Sequence, residues 1–376
     1  MPTILITAGE ASGDRLGAAL MEVLKRTRPN IMFVGVGGPL MEKQGLTSLF
    51  PMSDLAVMGL FEVIPAIPRI LNRLTLLVAL AKTSKPDLVI TIDSQDFSSR
   101  LAARLKKQAP NTPHIHYVAP KVWAWRRSRV KKLKNLYTHL ITILPFEEEF
   151  FASAGLPATY VGHPATTALS RYRHSSSPQN PMLALLPGSR ESELERHWPL
   201  FLQTARMLHR YVPNLSFVLA LPDAEALATC QKLAPWTDSD SIFAVMGEDR
   251  FKKLAYSTAA LSKSGTNNLE LALIGTPAVV AYRMNELSYQ LAKRLVKVPF
   301  ISLPNLILYY SGRTAVYPEH IQPNATAEKL TARLLPLVLG QAPAQQQAEQ
   351  LVSFHKLMMT PQPPAMLAAA VISKYI

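Results

Sequence analysis

The chain has 376 residues and 48% of them are hydrophobic, a composition that suggests two packed domains and excludes a disordered chain. Its 40 lysines and arginines outnumber its 26 aspartates and glutamates, and the resulting net charge of +14 favours an anionic partner: a nucleic acid, a membrane surface or a polyanionic substrate. The single cysteine, Cys230, excludes an intramolecular disulfide and a cysteine-based zinc site.

The first predicted strand, Thr3–Thr7, begins so close to the amino terminus that we expect no signal peptide. The longest apolar runs are also too short to span a bilayer as a helix. Together with the single cysteine, these features predict a cytoplasmic protein.

The loop Ala8–Asp14 follows this strand and precedes a predicted helix, Leu16–Arg26. A strand that runs into a glycine-containing turn and then a helix is typical of ligand-binding sites in α/β proteins. The loop lacks the third glycine of the dinucleotide fingerprint, and its Glu10 and Asp14 would repel a diphosphate. We therefore expect the loop to face sugar hydroxyls, and we interpret Asp14 or Ser12 as a helix cap.

The segment Met58–Ala81 is very apolar, and two prolines interrupt its front half. A helix is predicted from Arg69 onward. The front half has two open interpretations: an exposed patch that inserts into a membrane, or a segment buried under a neighbouring element. The candidate membrane-facing side chains are Phe61, Ile64 and Ile67.

Two carboxylates follow the predicted strand Asp87–Ile92 at its carboxyl end. Carboxylates are costly to bury unpaired, and at such a position they are well placed to abstract a proton. Asp93 leaves the strand first and is the candidate general base. Asp96 is interpreted more readily as a cap of the predicted helix Phe97–Lys107.

Trp123 and Trp125 precede a run of cations, Arg126–Lys134. Tryptophans beside cations can stack bases and hold the phosphates of a single-stranded nucleic acid. They can equally form a substrate-holding loop followed by a solvated basic helix, which is the commoner case. Together with the apolar patch in the same half of the chain, the basic helix would also suit an anionic bilayer.

The residues His174–Pro181 have the composition of a linker, and the strand–turn–helix pattern restarts after them at the predicted strand Met182–Leu186. The turn that follows contains Ser189 and Arg190 ahead of a helix. An arginine at a helix N-terminus can hold a diphosphate through two parallel hydrogen bonds. We favour this interpretation over a purely structural turn.

The stretch Thr258–Arg283 contains a strand, a turn of small residues, a helix over Asn267–Ile274 and a second strand. The turn lies at the end of a strand, where the N–H groups of a helix can bind a diphosphate. An ordinary tight turn with a solvated helix stays open as the alternative. The candidate binding residues are Lys263, Ser264, Gly265, Thr266 and, one helical turn further on, Glu270, whose carboxylate can reach a sugar diol.

Twelve short motifs extend over nearly the whole chain. They are AGEASGD (Ala8–Asp14), FVGVGGP (Phe33–Pro39), LAVMG (Leu55–Gly59), IDSQDF (Ile92–Phe97), HYVAPKVWAWR (His116–Arg126), LPFE (Leu144–Glu147), GHP (Gly162–Pro164), LLPGSR (Leu185–Arg190), SGT (Ser264–Thr266), YRM (Tyr282–Met284), LAKRLVK (Leu291–Lys297) and SLPN (Ser302–Asn305). Each motif is weak alone, but in this order they resemble the lipid-A-disaccharide synthase family of bacterial glycosyltransferases.

The resemblance implies an α/β fold of the GT-B class, with two Rossmann-like doubly wound domains, a central cleft and a C-terminal helical tail that crosses back to the first domain. We expect an N-terminal domain at residues 1–173, a linker at 174–181, a C-terminal domain at 182–345 and the tail at 346–376. The resemblance also implies an inverting transfer from UDP-2,3-diacylglucosamine to 2,3-diacylglucosamine 1-phosphate (lipid X), which gives a β-1,6-linked disaccharide and UDP. It implies neither a metal nor another cofactor.

The same resemblance assigns roles to individual residues. The implied catalytic residues are Asp93, which corresponds to the general base for the acceptor hydroxyl, and Glu10, which corresponds to a contact with the acceptor or the donor sugar. On the donor side, the implied substrate-binding residues are Arg190 and the adjacent Ser189 at the diphosphate, Ser264, Gly265 and Thr266 in the phosphate turn, Glu270 at the ribose, and Asn305 of the SLPN motif. The chain departs from the family pattern at Lys263, which can add to diphosphate binding, and at Asn267 and Asn268, which replace small residues.

Both implied substrates carry acyl chains and phosphates, so the resemblance implies peripheral association with the cytoplasmic face of the inner membrane. It implies no nucleic acid partner and leaves a homodimer open. Two alternatives remain at this stage. One is another GT-B enzyme acting on UDP-GlcNAc, either an epimerase or an undecaprenyl-linked N-acetylglucosaminyltransferase. The other is a basic nucleic-acid-binding protein that uses Trp123, Trp125 and the cations after them.

Overall fold

The structure is a computed structural model that describes residues 1–55, 60–124, 129–173, 180–295 and 298–376. These residues form two compact units, and the first unit is discontinuous in sequence. Unit 1 comprises Met1–Pro164 and Thr360–Ile376, and unit 2 comprises Ala165–Met359. Each unit has a parallel sheet whose strands are connected mostly by helices, which is a Rossmann-like arrangement.

Unit 1 is built around one parallel sheet. Its elements up to the boundary with unit 2 are β1 (Thr3–Ala8), α1 (Ala11–Thr27), β2 (Met32–Val36), α2 (Pro39–Lys43), α3 (Leu60–Ser84), β3 (Leu88–Ile92), α4 (Gln95–Gln108), β4 (His114–Tyr117), α5 (Val130–Leu136), β5 (His139–Thr142), α6 (Glu147–Ser153) and β6 (Ala158–Tyr160). The next helix, α7 (Pro164–Leu169), starts at the boundary and lies in unit 2 from Ala165 onward. The strand order is β2-β1-β3-β4-β5-β6. This order places a topological switch between β1 and β3, the position at which open α/β sheets bind ligands.

Unit 2 repeats this plan with a second parallel sheet. Its elements are β7 (Met182–Leu186), α8 (Glu191–Tyr211), β8 (Ser216–Ala220), α9 (Ala224–Leu233), β9 (Ile242–Val245), α10 (Asp249–Ala255), β10 (Ala259–Lys263), α11 (Thr266–Ile274), β11 (Ala278–Tyr282), α12 (Glu286–Leu295), α13 (Leu303–Tyr310), β12 (Glu319–Ile321), α14 (Ala327–Val338) and α15 (Ala342–Met358). The strand order is β12-β11-β10-β7-β8-β9, so the switch of this sheet lies between β7 and β10.

The inner strands of both sheets consist of uninterrupted apolar runs because helices cover both of their faces. Every residue of β1 and of β3 is buried, and so are most residues of β7, β10 and β11. The predicted α/β class and the two Rossmann-like domains are therefore confirmed.

The C-terminal segment Thr360–Ile376 belongs to unit 1. Its helix α16 (Pro364–Ile372) packs against α1 and places Ala368, Ala369, Val371 and Ile372 in the core of unit 1. Arg28 at the end of α1 donates hydrogen bonds to the carbonyl oxygens of Ser373 and Ile376. The preceding helix, α15, lies in unit 2, and so do residues 165–173.

Helix α3 begins earlier than the sequence predicted. It starts at Leu60 and continues through both prolines, whereas the prediction began the helix at Arg69. The completely buried Leu74 and Leu77 anchor the helix further along, so each proline removes a backbone hydrogen bond without ending it. Among the described residues, no helix combines the length and the apolar character needed to cross a bilayer.

Candidate functional site

The switch of the first sheet brings together the two loops that carry the predicted catalytic residues. Glu10 follows β1 as the N-cap of α1, and Asp93 follows the adjacent strand β3. A Cβ atom placed on Gly9 would lie 2.4 Å from Ser94 Oγ, so the two loops are in direct contact and leave no space for a larger residue at position 9. The structure thus places Glu10 and Asp93 in neighbouring loops at one edge of the sheet.

Asp93 lies in a strained turn. Its φ angle is 53° and that of Ser94 is 42°, so two successive non-glycine residues adopt left-handed backbone conformations. The Ser94 N–H donates to Asp93 Oδ1 at 3.0 Å, and Ser98 Oγ donates to the Asp93 carbonyl oxygen at 2.8 Å. Each such conformation costs about 1–3 kcal/mol, and this kind of strain is concentrated at functional sites. The half-buried Asp93 carboxylate is the group that this turn presents.

Asp14 and Asp96 are the other two acidic residues of these loops, and they lie in different surroundings from Glu10 and Asp93. Asp14 is buried and accepts hydrogen bonds from the backbone N–H groups of Gly38, Leu40 and Met41 at 2.9–3.0 Å. It therefore caps α2, whereas the prediction was that it would cap its own helix, α1. Asp96 is exposed in the first turn of α4, where the N-cap residue is Ser94.

A buried carboxyl group at the ends of β4 and β5 was not predicted. Glu147 is fully buried and accepts hydrogen bonds from Trp123 Nε1 at 3.0 Å and from the Leu144 N–H at 3.2 Å. Burial raises the pKa of Glu147 to about 7, although these two donors oppose the shift. Because Trp123 is buried and bonded to Glu147, its ring is not available to stack on a base. Trp125 and residues 126–128 lie outside the described part of the chain.

The switch of the second sheet brings together the predicted donor-side turns. Arg190 follows β7 as the exposed N-cap of α8, and Lys263 is the last residue of β10, the strand beside β7. Between them lies Glu193, which sequence reasoning missed. Lys263 Nζ donates to Glu193 Oε1 at 2.8 Å, and the Ser189 N–H donates to Glu193 Oε2 at 3.1 Å.

The phosphate turn after β10 is partly occupied by its own side chains. Ser264 Oγ donates to the Ile301 carbonyl oxygen at 2.9 Å, and the Gly265 N–H donates to Asn268 Oδ1 at 2.9 Å. Asn268 therefore accepts from the Gly265 N–H, a group that was predicted to bind a phosphate. The N–H groups of Thr266 and Asn267, in the first turn of α11, have no helical carbonyl to bind, as at any helix start.

Glu270 forms an ion pair that the sequence did not indicate. Arg250 on α10 donates from Nη2 to both oxygens of the Glu270 carboxylate, at 3.0 and 3.1 Å. Burial raises the pKa of Glu270, and the charge of Arg250 opposes that shift. The carboxylate keeps acceptor positions beyond those that Arg250 uses, because two oxygens offer about four lone pairs.

Asn305 is completely buried, and its amide is fully engaged. Its Oδ1 accepts from the N–H groups of Val316 and Tyr317, and its Nδ2 donates to the Tyr317 carbonyl oxygen and to Glu319. The same Glu319 carboxylate accepts from the N–H and hydroxyl groups of Ser302. Asn305 thus holds the chain that follows α13, and Glu319, to which it donates, holds Ser302 before that helix. Asn305 has no amide hydrogen left to offer a ligand.

Comparison with known proteins identifies the family. The family model for lipid-A-disaccharide synthetase matches residues 4–371. A lipid-A-disaccharide synthase from Granulibacter bethesdensis is 40% identical, with 93% of this chain and 92% of that protein covered. One from Idiomarina loihiensis is 42% identical, with 90% of this chain and 89% of that protein covered. The chain belongs to the lipid-A-disaccharide synthase family. It is therefore a glycosyltransferase, as predicted.

Solved structures agree with the GT-B fold of a lipid-A-disaccharide synthase. The glycosyltransferase of kitacinnamycin aligns with a TM-score of 0.64 at 14% identity and covers 100% of this chain and 99% of that one. The UDP-GlcNAc 2-epimerase from Neisseria meningitidis aligns with a TM-score of 0.54 at 12% identity, with the same coverage. At these identities the likeness shows the fold alone. The two relatives at 40% and 42% identity are both synthases, so the chain is assigned to the synthase family and not to the epimerases.

The described residues also show what could hold a charged ligand or a metal. Among them, no group of three or more His, Cys, Asp or Glu side chains is arranged to bind a metal ion. The positively charged groups at the switch of the second sheet are Arg190, Lys263 and the N-terminus of α11, and the Glu193 carboxylate lies beside the first two. The positive groups match the chemistry of a diphosphate.

Proposed function

We propose that this member of the family transfers the diacylglucosamine unit of UDP-2,3-diacylglucosamine to the 6-hydroxyl group of lipid X. The acceptor oxygen forms a bond to the anomeric carbon while the bond from that carbon to the UDP oxygen breaks, so the configuration inverts and UDP leaves. The main support is the family membership together with the location of the candidate groups at the switch of each sheet.

In this proposal Asp93 takes the proton of the acceptor hydroxyl. A half-buried carboxylate held by a strained turn is suited to this role, because the turn fixes its direction. Glu10, in the loop that contacts Ser94, accepts a hydrogen bond from a sugar hydroxyl.

Unit 2 holds the donor. Arg190, Ser189 and Lys263 bind the diphosphate together with the turn Ser264–Thr266, and Glu270 accepts from the ribose hydroxyls. Arg190 and Lys263 stabilise the negative charge that develops on the leaving UDP, the role that a metal ion has in other transferases. Asn305 acts indirectly. It donates to Glu319, whose carboxylate binds the Ile301 N–H, and the Ile301 carbonyl oxygen holds Ser264.

The decisive experiment follows UDP release from the purified protein in detergent. We expect release only when both UDP-2,3-diacylglucosamine and lipid X are present, and a β-1,6-linked disaccharide 1-phosphate as the product. UDP release with the donor alone would indicate a hydrolase. Conversion of UDP-GlcNAc to its epimer would indicate the alternative GT-B reaction.

Replacing Arg190 by alanine should weaken the binding of UDP about 10- to 100-fold, because a charge-assisted pair of hydrogen bonds is lost. Calorimetric titration with UDP measures this effect. Arg210→Ala, at the exposed far end of the same helix, is the matched control and should bind UDP normally. Equal affinities in the two variants would remove Arg190 from the donor site.

We further propose that the protein binds peripherally to the cytoplasmic face of the inner membrane through α3. Ile67 and Leu71 lie one helical turn apart on α3, and both are substantially exposed, at 43% and 38%. Exposed Arg69 lies on the same helix, and the net charge of +14 favours anionic lipid. The side chains of Phe61 and Ile64 lie outside the described part of the structure, so their membrane contact stays a prediction.

The double change Ile67→Ser and Leu71→Ser should lower binding to vesicles of anionic phospholipid about tenfold, because each side chain loses apolar contact with the bilayer. The melting temperature should not change. Leu339→Ser, an exposed leucine in unit 2, is the control and should leave vesicle binding intact. Undiminished sedimentation of the double variant with vesicles would exclude this face of α3.

A further inference from the structure

A carboxylate of the protein itself, that of Glu193, occupies the N-terminus of α8. The Glu193 carboxylate accepts from Lys263 Nζ at 2.8 Å and from the Ser189 N–H at 3.1 Å, and it lies 3.7 Å from the Arg190 guanidinium. The side chains of Glu193 and Lys263 are only 17% and 14% exposed, so their ion pair is poorly screened by water.

The position of Glu193 is determined by close packing. Gly188 has a φ angle of 130°, and a Cβ atom on it would lie 2.7 Å from Glu193 Cβ. Lys263 Nζ likewise lies 3.2 Å from the Cβ position of Gly265, directly against the phosphate turn. Burial raises the pKa of Glu193, but the hydrogen bonds from Lys263 and Ser189 outweigh it and hold this pKa below its usual value. The group is therefore charged at neutral pH.

The groups that hold Glu193 are those assigned above to the diphosphate of the donor. A carboxylate and a phosphate oxygen compete for the same N–H groups and cations, because both are anionic acceptors. They cannot both bind Lys263 and the Ser189 N–H at full strength.

We propose that Glu193 is an internal competitor of the nucleotide diphosphate. Its carboxylate gives up Lys263 and the Ser189 N–H when the diphosphate binds, and it takes them back when UDP leaves. The residue thereby weakens the binding of the product and speeds its release. This inference rests on the proposed function, since it concerns the same donor site.

The test is Glu193→Gln, an isosteric change that removes the charge but keeps an oxygen to accept from Ser189. We expect the Kd for UDP to fall about tenfold, the effect of releasing one charge-assisted interaction. We also expect stronger product inhibition by UDP in the transferase assay. Glu191→Gln, an exposed glutamate in the same first turn, controls for the loss of one negative charge and should change the Kd less than about twofold.

A double-mutant cycle identifies the group for which Glu193 competes. In a Lys263→Met background, Glu193→Gln should improve the binding of UDP much less than in the wild type, because the main contested cation is gone. If Glu193→Gln melts early, Glu193→Asp replaces it. The shorter side chain reaches Lys263 poorly and should also tighten the binding of UDP.

The inference would be overturned if the wild type binds UDP normally and the Glu193 variants bind it equally well or more weakly. Glu193 would then be a structural cap of α8, and the proposed function would stand. Absence of UDP binding by the wild type would instead overturn the proposed function. Equal tightening by Glu191→Gln would show a general charge effect and would also overturn the inference.

Discussion

Replacing Asp93 by asparagine is expected to reduce transferase turnover about 10²- to 10⁴-fold while UDP still binds with wild-type affinity. The amide cannot accept the proton of the acceptor hydroxyl at neutral pH. It can still accept from the Ser94 N–H, and asparagine tolerates the φ angle of 53°. The substitution therefore isolates proton transfer from the structure of the turn.

Asp96→Asn is the matched control, because Asp96 is three residues away and exposed in the first turn of α4. Its turnover should stay within about twofold of the wild type. The measurements are turnover with both lipids at saturation, UDP affinity and the melting curve. Loss of UDP affinity or of cooperative melting in Asp93→Asn would show that Asp93 has a structural role.

A chain that ends at Met359 is expected to lose the folded state of unit 1. Helix α16 contributes four residues to that core, each no more than 5% exposed: Ala368, Ala369, Val371 and Ile372. A fully buried valine or isoleucine contributes about 1.5–3 kcal/mol, and the removal of the helix also uncovers the side chains beneath it. The total is comparable with the free energy of unfolding of a typical domain, about 5–15 kcal/mol.

Amide hydrogen exchange of the shortened chain measures this effect in each unit separately. Protection should disappear in β1 and α1, whereas β7 and β10 should keep theirs because unit 2 retains all its elements. A milder pair of variants uses the full chain: Ile372→Asp should destabilise unit 1, and Met366→Asp, exposed on the same helix, should not. Wild-type protection throughout the shortened chain would contradict this prediction.

The sequence predicted the sheets well because buried parallel strands must be apolar throughout, and runs such as Thr3–Thr7 have few other interpretations. The strand ends followed from the same reasoning, so the loops of Glu10, Asp93 and Arg190 were located correctly. Their roles in the reaction stay predictions.

The partners of the candidate residues were not predictable from the sequence. Glu193 lies 70 residues from Lys263, and Arg250 lies 20 residues before Glu270, without any motif linking the members of either pair. Only the strand order, which places β7 beside β10, brings the first pair together. Asp14 shows a similar limit: a capping residue was recognised, but the helix that it caps comes from the next part of the chain.

The discontinuity of unit 1 has a consequence during synthesis. The residues of α16 leave the ribosome only after the whole of unit 2 has been translated. At about 5–20 residues per second, this takes roughly 10–40 s, during which the nascent first unit exposes the apolar surface that α16 later covers. Unit 2 can thus complete its fold before unit 1, the reverse of the usual N-to-C order, and the waiting nascent chain has the exposed surface that chaperones bind.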